Sequence, residues 1–462
     1  MRPKIFQPID GVLRKMEEHS SGKVTNARID YERRCLETLE TALGRTLIYE
    51  SWKAFDPGAG HGIDVRYNSL PILTKADIRS HFPYGLVPRG LNLDAALSNG
   101  EVSFVRTSGT ADEALENIWD QQWWNASECA SWNLNSVAAS VATGTHREAI
   151  LASALSVGTR SENGPLHREA RMLGRFLFLN EFATPGEWPE GHERRILDEL
   201  ADYQPTVFEA NPSLIARLAR FAWRTGSAVY QPPLITLTYE FPSALQLRAI
   251  RRVFRSPIAS SYGSTETGYV FMECEHGRLH QNVEFCRVDF APLNNGGETE
   301  ACVGRIFITT FGNRWFPLVR FDIGDIARLA SGSCPCGMDF GMTLSAIEGR
   351  LKSLCIAADG KLITHRELDD ALAGVDGLEE YRLVQENLGN VRLAVVGEDG
   401  RGKRAVRDAT DILQEIFGQG VDIDASEVHV LLPEKSGKFL LAKRDFLLDP
   451  TIATTKTEVL RG

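Results

Sequence analysis

Three groups of residues carry types and spacings that could do chemistry. The first lies in VRTSGTADEALENIW, residues 105–119, where Thr107, Ser108, Gly109 and Thr110 set hydroxyls and a flexible glycine in a row. Such a row suits a polyphosphate, which is gripped by hydroxyls, backbone N–H groups and positive charge. The stretch then departs from that pattern. Asp112, Glu113 and Glu116 are acidic, and no lysine occurs between Lys75 and Lys352. Arg106, immediately before the row, is the candidate cation to offset them.

The second group is CEHGRLH (274–280) with CPCG (334–337), three cysteines and two histidines in short knuckles. In a reducing compartment, C-x-C thiols beside Pro and Gly are more often metal ligands than disulfides. Cys274, Cys334 and Cys336 with one histidine, His276 or His280, make a Cys3His set suited to structural Zn2+. The remaining cysteines, Cys35, Cys129, Cys286, Cys302 and Cys355, have no such spacing and are expected in the core. The third group is a downstream series: SYGSTETGY (261–269), VRFDIGDI (319–326), GRLK (349–352) and EKSGKF (434–439).

Elements must position these residues. Apolar residues at three-to-four spacing predict helices over 28–43, 212–224 and 242–254, with Asn211 as cap and Pro212 at a helix start. A short β run, PIASSYG, follows the last of these, and 304–310 and 316–329 read as consecutive strands. Asp112 through Trp124 could start a helix early, with Asp112 and Glu113 favourable at its N-terminus. From about residue 351 the pattern becomes a small unit: a helix at HRELDDALAGV, a strand pair turning at Asn387 to Asn390, and a helix at KRAVRDATDILQEIF. SEVHVLLPEKSGKF should then give a last strand and a loop. The fold class is therefore α/β: a large N-terminal domain of layered α/β subdomains (1–350) joined by a hinge to a small C-terminal α+β domain (351–462).

Composition bounds the function. At 462 residues the chain should hold two or three domains, and its apolar and charged fractions, 43% and 24%, are those of a soluble globular protein. A formal charge of −10 argues against nucleic-acid or anionic-membrane partners, while leaving room for a local basic pocket. No apolar run approaches the ~18 residues of a membrane span, and the N-terminus lacks the apolar core of a signal peptide. Eight cysteines are too few for a disulfide scaffold, so the expected location is cytoplasmic.

Taken in order, TSGT, SYGSTETGY, VRFDIGDI, GRLK and EKSGKF resemble the adenylate-forming superfamily of acyl- and aryl-CoA ligases and carrier-protein adenylation domains. Among these the sequence is most similar to the phenylacetate-CoA ligase-like branch and its relatives in natural-product pathways. The resemblance runs over roughly residues 100–445. It implies binding of ATP by Thr107, Ser108, Gly109, Thr110, Glu240, Tyr262, Gly263, Asp325 and Arg350. Within that set, Tyr262 would pack on adenine, Asp325 would accept the ribose hydroxyls, and Arg350 would lie near ribose and phosphate. Thr265 would meet the α-phosphate and Glu266 would hold Mg2+, a hard cation that prefers carboxylate oxygen. Lys438 would be the catalytic lysine on a mobile loop, and Lys352 the hinge. Relatives in that branch have a similar C-x2-G-x2-H…C-x-C-G arrangement, which favours His280 as the fourth zinc ligand, with His276 as the alternative.

The implied activity is ATP-dependent conversion of an aryl or aryl-like acid to its adenylate, then transfer to CoA. Two alternatives follow from the same resemblance: transfer to a carrier-protein phosphopantetheine, amine or hydroxyl in biosynthesis, or a nucleotide-binding homologue that has lost catalysis. The expected partners are a small carboxylic acid and CoA or a carrier protein, with a homodimer also open. In the family TSGT continues with Thr-Gly, where this chain has Ala111 and Asp112, and TYEFPS (238–243) puts a bulky Tyr239 before Glu240. Tyr239 can either close part of an acyl pocket or pack in the core. Trp123, Trp124 and Phe208 are the other aromatic candidates for that pocket.

Overall fold

The computed structural model describes residues 23–107, 114–162, 164–293, 302–434 and 437–447. Its backbone is a twelve-stranded mixed sheet. The middle of that sheet is parallel: strands Ile258–Ser264, Leu234–Leu237, Val207–Ala210, Glu148–Leu151 and Phe176–Phe178 lie side by side. Helices His192–Tyr203, Pro212–Thr225 and Ala244–Val253 form the crossovers between them. Such strands are covered on both faces and so read as nearly unbroken apolar runs. All four residues of Leu234–Leu237, Val207–Ala210 and Glu148–Leu151 are buried, yet the latter two each contain a glutamate.

Beyond Ile258–Ser264 the sheet turns antiparallel through Gly268–Glu273, Leu279–Gln281, Thr343–Arg350, Phe321–Leu329, Val303–Thr310 and Cys286–Pro292. The expected strand over 316–329 begins only at Phe321. Residues before it fold back instead: the Leu318 and Arg320 N–H groups donate to the Thr310 and Thr309 hydroxyls, both at 3.0 Å. Arg320 sits at φ 49° with its guanidinium buried on the carbonyls of Tyr67 and Leu70, each 2.7 Å away. Those fixed donors outweigh the local strand preference.

The small C-terminal unit has a four-stranded sheet, ordered Asp422–Glu427, Asn390–Gly397, Leu378–Asn387 and Ala442–Arg444. Helices His365–Leu372 and Gly402–Phe417 cover it, around a core that includes Leu368, Leu383, Leu393 and Leu413. The strand expected in SEVHVLLPEKSGKF comes earlier, at Asp422–Glu427; the Val428 N–H still donates to the Val395 carbonyl, and the chain then leaves the sheet toward the large domain. There the Leu431 carbonyl accepts from Arg217, on a crossover helix of the large domain. Side chains of Leu354, Ile356 and Leu362 pack with Val303 and Ile326 of the large sheet, so the two units are joined just past Arg350. Among the described residues no helix is long and apolar enough to cross a membrane.

The region around TSGT also differs from the early-helix expectation. Ser103–Arg106 and Glu116–Trp119 pair antiparallel, with Arg106 opposite Glu116. The helix starts only at Gln121, because Asp120 caps it by accepting from the Gln122 and Trp123 N–H groups at 3.0 and 3.1 Å. Asn117, Ile118 and Trp119 are committed to the strand pair, so the helix cannot begin before them.

Candidate active site

The core of the site is built where the parallel sheet ends. Ile258–Ser264 turns sharply at residues 265–267 into Gly268–Glu273, and the turn lies at the carboxyl end of the parallel strands. Open α/β sheets place ligands in that crevice. Gly263 is required there, since a Cβ would lie 2.2 Å from the Gly268 carbonyl oxygen. The turn presents Thr265 half-buried and Glu266 buried.

One residue before Gly263, the Tyr262 hydroxyl donates to Asp325 Oδ2 at 2.6 Å. Asp325 faces Arg350 across neighbouring antiparallel strands, and Arg350 Nε lies 3.3 Å from Asp325 Oδ1. Burial, reinforced by Asp325, holds the Tyr262 phenol far above its usual range, so it stays a donor. Tyr262, Asp325 and Arg350 thus form one bonded chain beside Glu266.

Lys438 comes to the same place from the small unit. Burial, then the Arg350 guanidinium, pushes its ammonium below the ordinary lysine value, while Glu240, Asp325 and Glu266 oppose that push. Four of the predicted residues therefore share the electrostatic neighbourhood of Lys438. Of the two nearby lysines, Lys443 pairs with Asp445 at 3.5 Å and Lys435 lies outside the described residues. Lys352 sits in the 3-10 turn Leu351–Ser353, on the connection between the two units. Thr107 closes the base of the hairpin loop: its N–H donates to the Leu115 carbonyl at 2.8 Å, and its hydroxyl accepts from the Leu115 N–H at 2.9 Å. Ser108, Gly109 and Thr110, with Ala111, Asp112 and Glu113, lie outside the described residues.

The cysteine knuckles converge. Ligand atoms of Cys274, His280, Cys334 and Cys336 all lie within 4.8 Å of one another. Cys274 Sγ is 3.6 Å from Cys334 Sγ, and Cys336 Sγ is 3.2 Å from His280 Nε2. His280 Nδ1 lies 3.3 Å from the Thr343 hydroxyl, the second contact that orients a ligating imidazole. Burial lowers the His280 pKa, which favours the neutral ring that a metal needs. His276 is exposed on the turn and is not part of the group. Of the other cysteines, Cys35, Cys286 and Cys355 are buried, and Cys129 and Cys302 half-buried.

The sequence reading missed a second cluster. Glu128, Glu148 and Glu209 bring carboxylate oxygens within 4.8 Å of one another, deep beside the parallel strands. Glu148 is paired with Arg175 at 2.7 Å and with His146 at 3.3 Å. Glu209 accepts from the Tyr239 hydroxyl, and Glu128 from the Tyr269 hydroxyl at 3.2 Å. Burial first, then the Glu148 charge, pushes Glu128 and Glu209 each up to about 8, which favours their protonated forms. The signal was present in EAIL and VFEA, where a glutamate interrupts an otherwise apolar strand.

Tyr239, at φ 75°, packs against the cluster of Ile150, Val157 and Phe178 while its hydroxyl reaches Glu209. Trp123 is tied to the Phe311 carbonyl at 2.7 Å, and Trp124 lies between Trp119 and Tyr269, centroids 4.5 and 5.1 Å away. Phe208 is fully buried in the core, because a central strand is covered on both faces.

No family model matches the sequence, and no curated protein matches it. Solved structures do. A 2-hydroxyisobutyryl-CoA ligase in its postadenylation state, in complex with R3-HIB-AMP, superposes with TM-score 0.65 at 16% identity, covering 88% of this chain and 86% of that one. The same ligase with 2-HIB-AMP and CoA in the thioesterification state gives TM-score 0.53 at 16% identity, over 92% and 91%. Its open conformation gives 0.51 at 16% identity, over 91% and 90%. The chain has the fold of the adenylate-forming acid–CoA ligases, a large α/β domain followed by a small C-terminal one.

Proposed function

We propose that the protein uses ATP to convert a carboxylic acid into an acyl-adenylate and then passes the acyl group to a thiol, with CoA as acceptor. The observation that carries this reading is the bonded chain of Tyr262, Asp325 and Arg350 at the end of the parallel sheet, with the loop of Lys438 seated beside it through the Phe439 N–H on Glu240. In the first half-reaction a carboxylate oxygen attacks the α-phosphorus and the bond to pyrophosphate breaks. Lys438 would bind the acid's carboxylate and the α-phosphate, placing fixed positive charge where negative charge develops. The Thr265 hydroxyl would donate to the same phosphate. Asp325, held by Tyr262 and Arg350, would accept the ribose hydroxyls. Glu266 is the carboxylate that suits Mg2+, which when bound would offset phosphate charge. In the second half-reaction the thiol attacks the acyl carbonyl and AMP leaves, with the small unit turning about Lys352.

Greater likeness to the postadenylation structure than to the thioesterification one, 0.65 against 0.53, is consistent with the docked Lys438 loop. We read Cys274, His280, Cys334 and Cys336 as a structural Zn2+ site. A closed Cys3His set braces the fold and leaves no position for a reacting water. The acid we propose is aryl or aryl-like, as the motif series suggests.

ATP–pyrophosphate exchange across a panel of aryl and branched hydroxy acids tests the reading, followed by mass spectrometry of products with CoA and with a phosphopantetheinyl carrier protein. Acid-dependent exchange with a CoA thioester is the expected result. Exchange with product only on the carrier protein would move the acceptor. No exchange with any acid would favour a nucleotide-binding homologue without catalysis.

A further inference from the structure

Lys438 can act only if its loop is held on the large domain, and the structure shows what holds it. The Gly437 N–H donates to the Glu434 carbonyl and the Glu434 N–H to the Lys438 carbonyl, both at 2.8 Å. Immediately after the lysine, the Phe439 N–H donates to Glu240 Oε1 at 2.5 Å. Glu240 belongs to the large domain, 199 positions earlier in the chain. Its other oxygen accepts from the Ser213 hydroxyl at 2.9 Å, and Gln246 Nε2 donates to that hydroxyl at 2.9 Å. Ser213 and Gln246 stand in the first turns of two crossover helices, so Glu240 is braced by the sheet's own scaffold.

Two further contacts flank the lysine. Gly437 lies against Ser153: a Cβ there would be 2.2 Å from the Ser153 hydroxyl oxygen and 2.9 Å from its Cβ. The Phe439 ring packs on the large domain's helical core cluster, which includes Leu214 and Ile215. The residue before the lysine, the residue after it and the backbone between them are thus seated on the large domain.

We propose that Glu240 is a positioning residue, not a nucleotide ligand: with Gly437 and Phe439 it forms a latch that fixes Lys438 for adenylation and opens for transfer to the thiol. This deepens the function proposed above and rests on it. A carboxylate fits the role because it accepts the Phe439 N–H and the Ser213 hydroxyl at once, and because hydrogen bonds to a charged acceptor are stronger than neutral ones. Gly437 fits because both its φ of 80° and the Ser153 contact exclude a side chain.

The test compares wild type with Glu240→Ala, Glu240→Gln and Gly437→Ala in the full-length chain. Hydrogen exchange of the 434–441 segment is read without any substrate, and the two half-reactions are assayed separately. Loss of a bond to a charged group is expected to raise exchange at the Phe439 amide by about 10- to 100-fold in Glu240→Ala. Adenylation should fall by a similar factor in that variant, while thioester formation from supplied acyl-adenylate changes by less than about threefold. Glu240→Gln keeps an acceptor and should recover most of both losses. Gly437→Ala perturbs the loop without touching either core, so it answers for a Glu240 variant that folds poorly. Unchanged exchange in Glu240→Ala and Gly437→Ala overturns the latch, as does an equal loss of both half-reactions. Protection that depends on Glu240 in a protein inactive with every acid would uphold the latch and sink the ligase reading.

Discussion

A row of arginines on the large domain faces a pair of glutamates on the small one, and neutralising that pair should loosen the closed arrangement by a measurable factor. Arg217, Arg220 and Arg224 recur at helical spacing on one face of Pro212–Thr225. Opposite them, Glu379 and Glu380 open the strand Leu378–Asn387. Arg220 bonds the Glu380 carboxylate and, at 3.3 Å, the Glu379 carbonyl. Arg224 meets Glu379 at 2.6 Å, and Arg217 lies 3.5 Å from Glu380.

The pairs differ in worth. Arg224 is 48% exposed, so its pair with Glu379 contributes about 0.5 kcal/mol after solvent screening. Arg220 and Glu380 are only 11% and 13% exposed; burial pulls the Arg220 pKa down to about 10, so desolvation offsets part of the attraction and leaves about 2 kcal/mol from the charged hydrogen bonds. Glu379→Gln with Glu380→Gln keeps shape and acceptors but removes both charges. The expected loss is about 2–3 kcal/mol, because the arginines rehydrate when the units separate and do not stay stranded. That shifts the closed-to-open ratio by roughly 30- to 150-fold. Small-angle scattering and single-molecule distances between dyes on the two units would report the shift, and wild type should open in the same direction as salt is raised. Identical distance distributions for wild type and the double variant, at low and high salt, would refute the reasoning.

Lys438→Ala should lower adenylation by about 10²–10³ while leaving nucleotide binding near wild type, measured by exchange and calorimetry; equal loss of both would mean another residue carries the role. One equivalent of zinc per chain is expected by elemental analysis, lost in His280→Ala and kept in His276→Ala, with chelation lowering the melting temperature. Glu128 and Glu209, raised from 4.5 to about 8, bind protons in the folded chain that the unfolded chain has released, so they make stability fall as pH rises through that window. The expected slope is on the order of 1 kcal/mol per pH unit, moderated by Glu148, Arg175, His146 and the two tyrosines that face the pair. Urea midpoints should flatten between pH 5 and 8 in Glu128→Gln with Glu209→Gln, and an unchanged slope would show that both are ionised.

What could be read in the sequence was local or motif-borne. Helix 212–224 announced itself through Asn211, Pro212 and its apolar spacing, and the structure extends it by one residue to Thr225. The C-x-C turn was legible because its thiol spacing nearly fixes the geometry, and the strand that carries His280 beside Thr343 brings it, and not His276, to that turn. Competition between local signals was harder to judge. Asp112 looked able to start a helix, but pairing of Asn117, Ile118 and Trp119 with Val105, Phe104 and Ser103 moves the start to Gln121, with Asp120 as its cap. Strand 316–329 failed for a related reason, since the hydroxyls of Thr309 and Thr310 capture the backbone just before Phe321.

Contacts between distant segments left no trace that one sequence could show. Glu240 was expected at a nucleotide site from the motif resemblance, and in the structure its two oxygens accept from the Ser213 hydroxyl and from the Phe439 backbone. A backbone donor carries no side-chain signature, so nothing in SGKF marks Phe439 as Glu240's partner. Glu209 and Tyr239, 30 positions apart on either side of the crossover helix, pose the same problem. Tyr239 points to the Glu209 carboxyl within the sheet, and Glu240, the next residue, points to the loop of Lys438. Their opposite directions follow from the backbone at Tyr239, whose φ of 75° turns the chain between them. A single dipeptide thereby links the buried carboxyl cluster to the closure of the small unit. Tyr239→Ala should therefore raise hydrogen exchange at the Phe439 amide, and unchanged exchange there would refute the link.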